Sequence, residues 1–261
     1  MIAEIFARES APAAPAFIPY VMAGDPDLST TEAILTALTR AGAALIELGI
    51  PYGDPLADGP TVAAAAQRAL SGGTRVGDVL NLVERARADA CAPVLLFTYY
   101  NPVDRYGVDR FAADAAAAGA WGAIVPDVPL EEIGELREAL ERRGLHLPLL
   151  VAPSTTRERA ARIAEAAGGF VYVVSRLGVT GAGSRPDFAP LRGQLAALRD
   201  VTEKPLAVGF GVSRREHVVE LSDAADGVIV GSAIIDAYAG RRGSEAAACV
   251  EAFSRGLLGR I

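Results

Sequence analysis

Three carboxylates concentrate the chemistry of this chain. Glu47 stands among Leu45, Ile46 and Leu48, and Asp54 and Asp58 follow in a loop stiffened by Pro51, Pro55 and Pro60. A carboxylate set among apolar neighbours loses hydration they cannot replace, so it either sits at the open end of a strand or has its pKa raised. Both arrangements suit a general acid/base. The ordinary alternative for Glu47 is a structural ion pair with an arginine. For Asp58 it is helix capping, because Asp58-Gly59-Pro60 reads as an N-cap ahead of a helix over 61–70.

A second group of residues points to an anion. Gly209-Phe210-Gly211 and Gly231-Ser232-Ala233-Ile234 each follow an apolar run, and glycine permits the close backbone approach that phosphate binding uses. The segment 176–187 is long and polar and carries Gly178, Gly181 and Gly183. It reads as a closing lid, with Thr180 a mid-loop hydroxyl able to reach a carboxylate, although plain surface loops share this composition.

Positioning these groups falls to a regular alternation. Short runs rich in Val, Ile, Leu and Phe at 16–22, 44–48, 93–98, 122–125, 147–151, 169–174, 205–208 and 227–230 predict strands. Between them, helical periodicity marks 30–40, 61–70 with 76–88, 108–118, 130–143, 156–167, 188–199 and 214–221, then a terminal pair from Ser232 and from Ser244. Eight β/α units in 261 residues predict an α/β protein, a single (β/α)8 TIM barrel over 1–261. Ile2, Ile5 and Phe6 at helical spacing add an N-terminal helix covering one end of the core. A doubly wound sheet lacks its usual support, since no G-x-G-x-x-G follows the first strand. In a barrel the function sits in the loops after the strands, where the carboxylates and glycines lie.

Composition excludes several partners and chemistries. The net charge of -7 disfavours nucleic acid. No run is long and apolar enough for a membrane span and the first residues lack an export signal, so a soluble cytoplasmic protein is expected. Cys91 and Cys249 lack metal-type spacing and read as buried small hydrophobes. The one lysine, Lys204, precedes the seventh strand on the face opposite the working loops, which disfavours a Schiff base. His146 lies before the fifth strand and His217 within a helix, so neither suggests a metal site or a triad, and a structural role is the simpler reading for each. Carboxylates, tyrosines and glycines remain, a set that moves protons but needs an electron sink in the substrate for carbon–carbon cleavage.

The runs Glu47-Leu48-Gly49-Ile50-Pro51, Asp54-Pro55-Leu56-Ala57-Asp58-Gly59-Pro60-Thr61, Tyr99-Tyr100-Asn101-Pro102, Asp127-Val128-Pro129, Ser175-Arg176, Gly178-Val179-Thr180-Gly181, Gly209-Phe210-Gly211 and Gly231-Ser232-Ala233-Ile234 closely resemble the tryptophan synthase alpha subunit family, in order along essentially the whole chain. The resemblance implies cleavage of indole-3-glycerol phosphate to indole and glyceraldehyde 3-phosphate by a TIM barrel without metal or organic cofactor. By matching motif, Glu47 would be the acid/base at indole carbon 3 and at the glycerol hydroxyl, and Asp58 would hold the indole N–H. Tyr20, Phe97, Tyr99, Ile124 and Phe210 would line the indole pocket, with Tyr172 near the glycerol chain, Thr180 and Gly181 on the lid, and Gly211, Gly231 and Ser232 at the phosphate.

The same resemblance implies a beta-subunit partner that carries pyridoxal phosphate, in an alpha2beta2 heterotetramer, with Pro51, Asp54, Asn101 and Pro129 at the contact. Two positions depart from the family: Gly53 stands where Ser is usual, and Tyr20 where Phe is common. The alternatives are a related phosphosugar isomerase or synthase barrel, and a non-catalytic ligand-binding regulatory subunit.

Overall fold

The computed structural model describes residues 2–6, 14–175, 188–209 and 211–260. The apolar runs form parallel strands β1 (Ala16–Met22), β2 (Ile46–Gly49), β3 (Val94–Phe97), β4 (Gly122–Ile124), β5 (Leu149–Val151), β6 (Val171–Val174), β7 (Leu206–Gly209) and β8 (Gly227–Val230). Their residues are buried almost without exception, the signature of parallel strands covered on both faces.

The covering layer is helical. α1 (Ile2–Ile5) precedes β1, and α2 (Leu28–Ala41) follows it; α3 (Pro60–Ser71) and α4 (Val76–Ala88) link β2 to β3. Next come α5 (Tyr100–Tyr106), α6 (Val108–Ala118), α7 (Gly134–Glu141), α8 (Arg157–Ala166), α9 (Ala189–Arg199), α10 (Arg215–Leu221), α11 (Ser232–Tyr238) and α12 (Gly243–Leu258). Local chemistry sets several ends. Asp27 Oδ1 accepts the Thr30 N–H at 2.7 Å to start α2, and Gly42, at φ 98°, closes it in the left-handed region.

Two helices differ from the sequence expectation. The stretch Tyr99-Tyr100-Asn101-Pro102, read as loop, opens α5, because the Asp127 carboxylate from the β4 loop accepts the Tyr100 N–H at 2.9 and 3.1 Å. Pro102 falls in the first turn, where a missing N–H costs nothing. Conversely, the helix expected over 130–143 is shorter: a turn closed by Glu132 N–H to Pro129 O at 2.9 Å occupies the stretch before α7.

Neighbouring strands run in the order β4-β3-β2-β1-β8-β7-β6-β5. The two ends meet through the parallel bridge between Gly122 and His146, with Ala123 N–H donating to His146 O at 2.9 Å and His146 N–H to Trp121 O at 3.1 Å. The result is a barrel closed through this single bridge. Its register fixes which side chains share the interior. Tyr20 pairs with Glu47 and Glu47 with Leu95, and one step nearer the mouth Met22 pairs with Gly49, Gly49 with Phe97 and Phe97 with Ile124. Because strand side chains alternate, these two layers face the same way. At the opposite end Phe6 packs on Phe170 at 5.5 Å, Phe170 stacks on Trp121 at 6.1 Å, and Trp121 lies 4.2 Å from His146. The expected N-terminal helix thus leads into this plug.

No helix among the described residues is long and apolar enough to cross a membrane. Cys91 and Cys249 are free and half-buried rather than fully buried, both lying in the outer layer.

A Cβ at Gly122 would run into the His146 backbone, which has no flexible side-chain end to yield. Gly122→Ala is therefore expected to destabilise the fold by about 1–3 kcal/mol in urea unfolding, whereas Gly134→Ala, with nothing within 4 Å of the added atom, should be neutral or slightly stabilising. Equal midpoints for the two variants would refute the role given to the Gly122 bridge.

Candidate active site

Glu47 projects from β2 into the barrel and is 1% exposed. Nothing among the described residues hydrogen-bonds its Oε1. No arginine among the described residues pairs with it: the arginine-paired buried carboxylate is Asp25, held by Arg68 at 2.7 and 2.9 Å and by the Tyr238 hydroxyl at 3.0 Å. Burial without compensating donors raises the Glu47 pKa to about 8.

Asp58 lies in the loop between β2 and α3, half-buried. It does not cap α3. The cap residue is Gly59, without a side-chain bond, and Pro60 takes the first helical position. The carboxylate instead receives a hydrogen bond from the Tyr99 hydroxyl, and that same oxygen accepts the Ala57 N–H at 3.1 Å. Tyr99 thereby ties the carboxylate loop to the end of β3. Burial raises the Asp58 pKa to about 6, and the Tyr99 bond opposes the rise.

Aromatic rings wall the space between these groups. Tyr20 meets Phe97 edge-on at 5.7 Å, Phe97 meets Tyr99 edge-on at 6.5 Å, and Tyr52 packs on Tyr99 at 5.4 Å. Tyr52 went unremarked in the sequence, although its place beside the proline-stiffened carboxylates was a usable signal. Ile124 is fully buried one strand away from Phe97. Across the barrel Tyr172 lies over Gly209, where a Cβ would strike its hydroxyl, and its pKa is raised by burial, then by the charges of Glu47 and Asp58.

The two departures from the family find room. The added Tyr20 hydroxyl lies over Gly49, which has no side chain to obstruct it, and donates weakly to Met22 Sδ at 4.0 Å. A Cβ at Gly53 would have Leu70 Cδ1, at 3.9 Å, as its nearest neighbour, so no steric constraint requires glycine there.

Gly211, at φ 96°, and Gly231 and Ser232 at the start of α11 stand half-exposed at the mouth, and Gly231 sits above the Tyr20 ring. Thr180, Gly181 and Phe210 lie outside the described residues. Of the expected contact residues, Asp54, Asn101 and Pro129 are exposed, joined by Leu56, which is 80% exposed. Pro51 is not among them: it is buried, because it continues directly from β2 into the barrel mouth.

Lys204 Nζ donates to the Glu165 and Ala167 carbonyls at the closed end of the barrel. Among the described residues no cluster of three His, Cys, Asp or Glu could hold a metal. His217, read as a helix residue, turns out to touch a mouth loop: its Nδ1 accepts the Ser213 N–H at 3.3 Å.

Fold and site define a (β/α)8 barrel protein with carboxylates and phenols gathered at the strands' C-terminal ends. The family described as "Tryptophan synthase alpha chain" matches residues 6–256. The chain belongs to that family and so among the enzymes of tryptophan biosynthesis. It is similar to the tryptophan synthase alpha chain of Picosynechococcus sp., 50% identical over 244 residues, covering 93% of this chain and 92% of the relative. Among solved structures it is similar to Mycobacterium tuberculosis tryptophan synthase, with TM-score 0.90 and 39% identity over 100% of this chain and 97% of that one. It is also similar to a chain of the tryptophan synthase a2b2 complex from Pyrococcus furiosus, with TM-score 0.85 and 38% identity over 94% of this chain and 98% of that one.

The Glu47 proton leaves the unfolded chain near the ordinary value of 4.5 and the folded chain near about 8. Across that window the folded state holds the extra proton, so Glu47 makes stability fall as pH rises. Glu47→Gln removes this slope and should be more stable than wild type by a few kcal/mol at about pH 9 but not at about pH 5. Urea unfolding at both pH values checks this, and parallel wild-type and variant profiles would contradict the burial argument.

Proposed function

We propose that this chain cleaves indole-3-glycerol phosphate by a retro-aldol reaction, as a carbon–carbon lyase acting through Glu47 and Asp58. The observation that carries the reading is the pair of environments: one carboxyl group desolvated without donors, the other half-buried and hydrogen-bonded by Tyr99. At neutral pH the first holds a proton and the second is mostly ionised.

In the forward direction protonated Glu47 delivers its proton to indole carbon 3, while the Asp58 carboxylate accepts the indole N–H and stabilises the positive charge that develops on the ring. The hydroxyl on the carbon attached to the ring then loses its proton to the Glu47 carboxylate. Its oxygen becomes the aldehyde carbonyl, the bond to carbon 3 breaks, and the bonding pair returns to the ring. Glu47 ends protonated, so one substrate yields two products with no net proton change. The substrate's own indole acts as electron sink, and the pathway asks nothing of Lys204. Tyr20, Phe97, Tyr99 and Ile124 would hold the indole, with Phe210 joining them. Tyr172 would lie along the glycerol chain and Thr180 and Gly181 over it. Gly211, Gly231 and Ser232 would bind the phosphate.

The chain acts as one domain and needs no cofactor of its own. Its partner is a beta subunit bearing pyridoxal phosphate, in an alpha2beta2 assembly in the cytoplasm. The likeness to a chain of the Pyrococcus furiosus a2b2 complex supports that partner. So does the exposed rim of Asp54, Leu56, Asn101 and Pro129 around the mouth.

Purified chain, alone and with a beta subunit, is expected to release indole from indole-3-glycerol phosphate. Glu47→Gln and Asp58→Asn should each lower kcat/KM by about 10²–10⁴-fold, and unchanged turnover in both would overturn the reading. The wild-type pH profile should be bell-shaped, rising near about 6 as Asp58 ionises and falling near about 8 as Glu47 loses its proton. Asp58→Asn should remove the acid limb from its residual activity, and a rising limb that persists would reassign it to the substrate's phosphate.

A further inference from the structure

His217 is 8% exposed, belongs to α10 and takes no part in the chemistry above. Its ring reaches back to the loop after β7. Nδ1 accepts the Ser213 N–H at 3.3 Å, and the Gly211 backbone lies near enough to the ring to favour its protonated form. A third contact is apolar: Phe188, the residue just before α9, packs edge-on at 5.3 Å and 69°. Burial, then the Arg214 guanidinium, lowers the ring's pKa, so at neutral pH it is an uncharged imidazole able to accept at one nitrogen and donate at the other.

Ser213, which it bonds, and Gly211, which it neighbours, bracket Val212, which is buried, so one ring touches the loop on both sides. That loop needs such a grip. Gly211 is in the left-handed region at φ 96°, and the nearest atom to a Cβ there is Ser175 Oγ at 3.8 Å. Packing beside Gly211 is therefore open, and the turn is held by the buried Val212 side chain together with the contacts from His217. Peptide N–H groups bind an anion well only when they are held in position before it arrives.

We propose that His217 is a positioning residue, which holds the Gly211–Ser213 turn so that its backbone receives the phosphate group of the substrate. This rests on the proposed placement of phosphate at that loop. Indole, which carries no phosphate, should be indifferent to it, and that separates positioning from general support of the fold.

The test uses the full chain as wild type, His217→Leu, His217→Asn and His217→Gln. Binding of glycerol 3-phosphate and of indole is measured by calorimetry, and indole release from indole-3-glycerol phosphate by steady-state kinetics. Losing the Ser213 hydrogen bond and the polar contact with the Gly211 backbone in His217→Leu should weaken glycerol 3-phosphate and raise KM by about tenfold. The indole Kd and kcat should stay within about twofold. His217→Asn puts an amide oxygen at the Nδ1 position, keeps the Ser213 bond and should recover part of the loss. An unchanged glycerol 3-phosphate Kd in His217→Leu overturns the proposal, as does equal weakening of both ligands.

Should His217→Leu fail to fold, His217→Gln, whose amide lies at the far end of the ring's footprint and leaves Ser213 without its acceptor, is expected to show the same split. His217→Gln matching wild type for both ligands then overturns the proposal. Failure of the functional reading is seen in wild type alone, as absence of indole release while the glycerol 3-phosphate comparison still stands. Wild type that binds no glycerol 3-phosphate refutes both.

Discussion

Enclosing Glu47 in the barrel with no hydrogen-bond partner for Oε1 among the described residues is the constraint around which the rest is arranged. A buried carboxyl group of this kind is stable only in its neutral form at ordinary pH, and it stays neutral only while the barrel keeps water out. The enclosure depends on every strand of the cylinder, including the Gly122–His146 bridge at the free edge of β4, two strands along from β2. It also depends on Gly49, whose missing side chain leaves space for Tyr20 to lean over the carboxyl's upper neighbour. The fold's closure and the carboxyl group's proton are one physical problem.

The second carboxylate shows how a short distance along the chain changes the chemistry. Asp58 has left the strand, stands half in solvent and receives the Tyr99 hydroxyl, so desolvation raises its pKa to about 6 rather than about 8. Two carboxyl groups with separated pKa values divide into an acid and an anion at the same pH. The opposite end of the barrel contrasts with this. There Phe6, Phe170, Trp121 and His146 pack ring against ring. Lys204 spends its charge on two carbonyls. Chemistry at one end and packing at the other is the division expected of a parallel barrel, because its strands all deliver their C-terminal loops to one rim.

Much was legible in the sequence because it was local. Apolar runs and helical periodicity located all eight strands, with β1 and β8 found to the residue, and the embedded Glu47 announced a perturbed carboxyl group. The misses share a cause. α5 was read as loop because its cap, Asp127, comes from another strand's loop, 27 positions away. Asp58 resembled a helix cap because its neighbours do; only the folded loop shows that its partner is Tyr99. His217 is the exception: its partner Ser213 is only four positions away, but helical periodicity does not tell which way a ring turns.

The sequence by itself therefore determined the order of elements, the face on which the carboxylates and glycines gather, and the residue types found there. Side-chain periodicity and turn propensity are properties of neighbours along the chain, and they need no third dimension. Tertiary structure alone decided that Glu47 Oε1 has no hydrogen-bond partner among the described residues while Asp25 has two, that Asp58 is held by Tyr99, and that Pro51 is buried while Asp54 is exposed. Desolvation and hydrogen bonding depend on what the whole barrel brings within a few ångströms, and this separates a carboxylate that carries a proton from one that carries a charge.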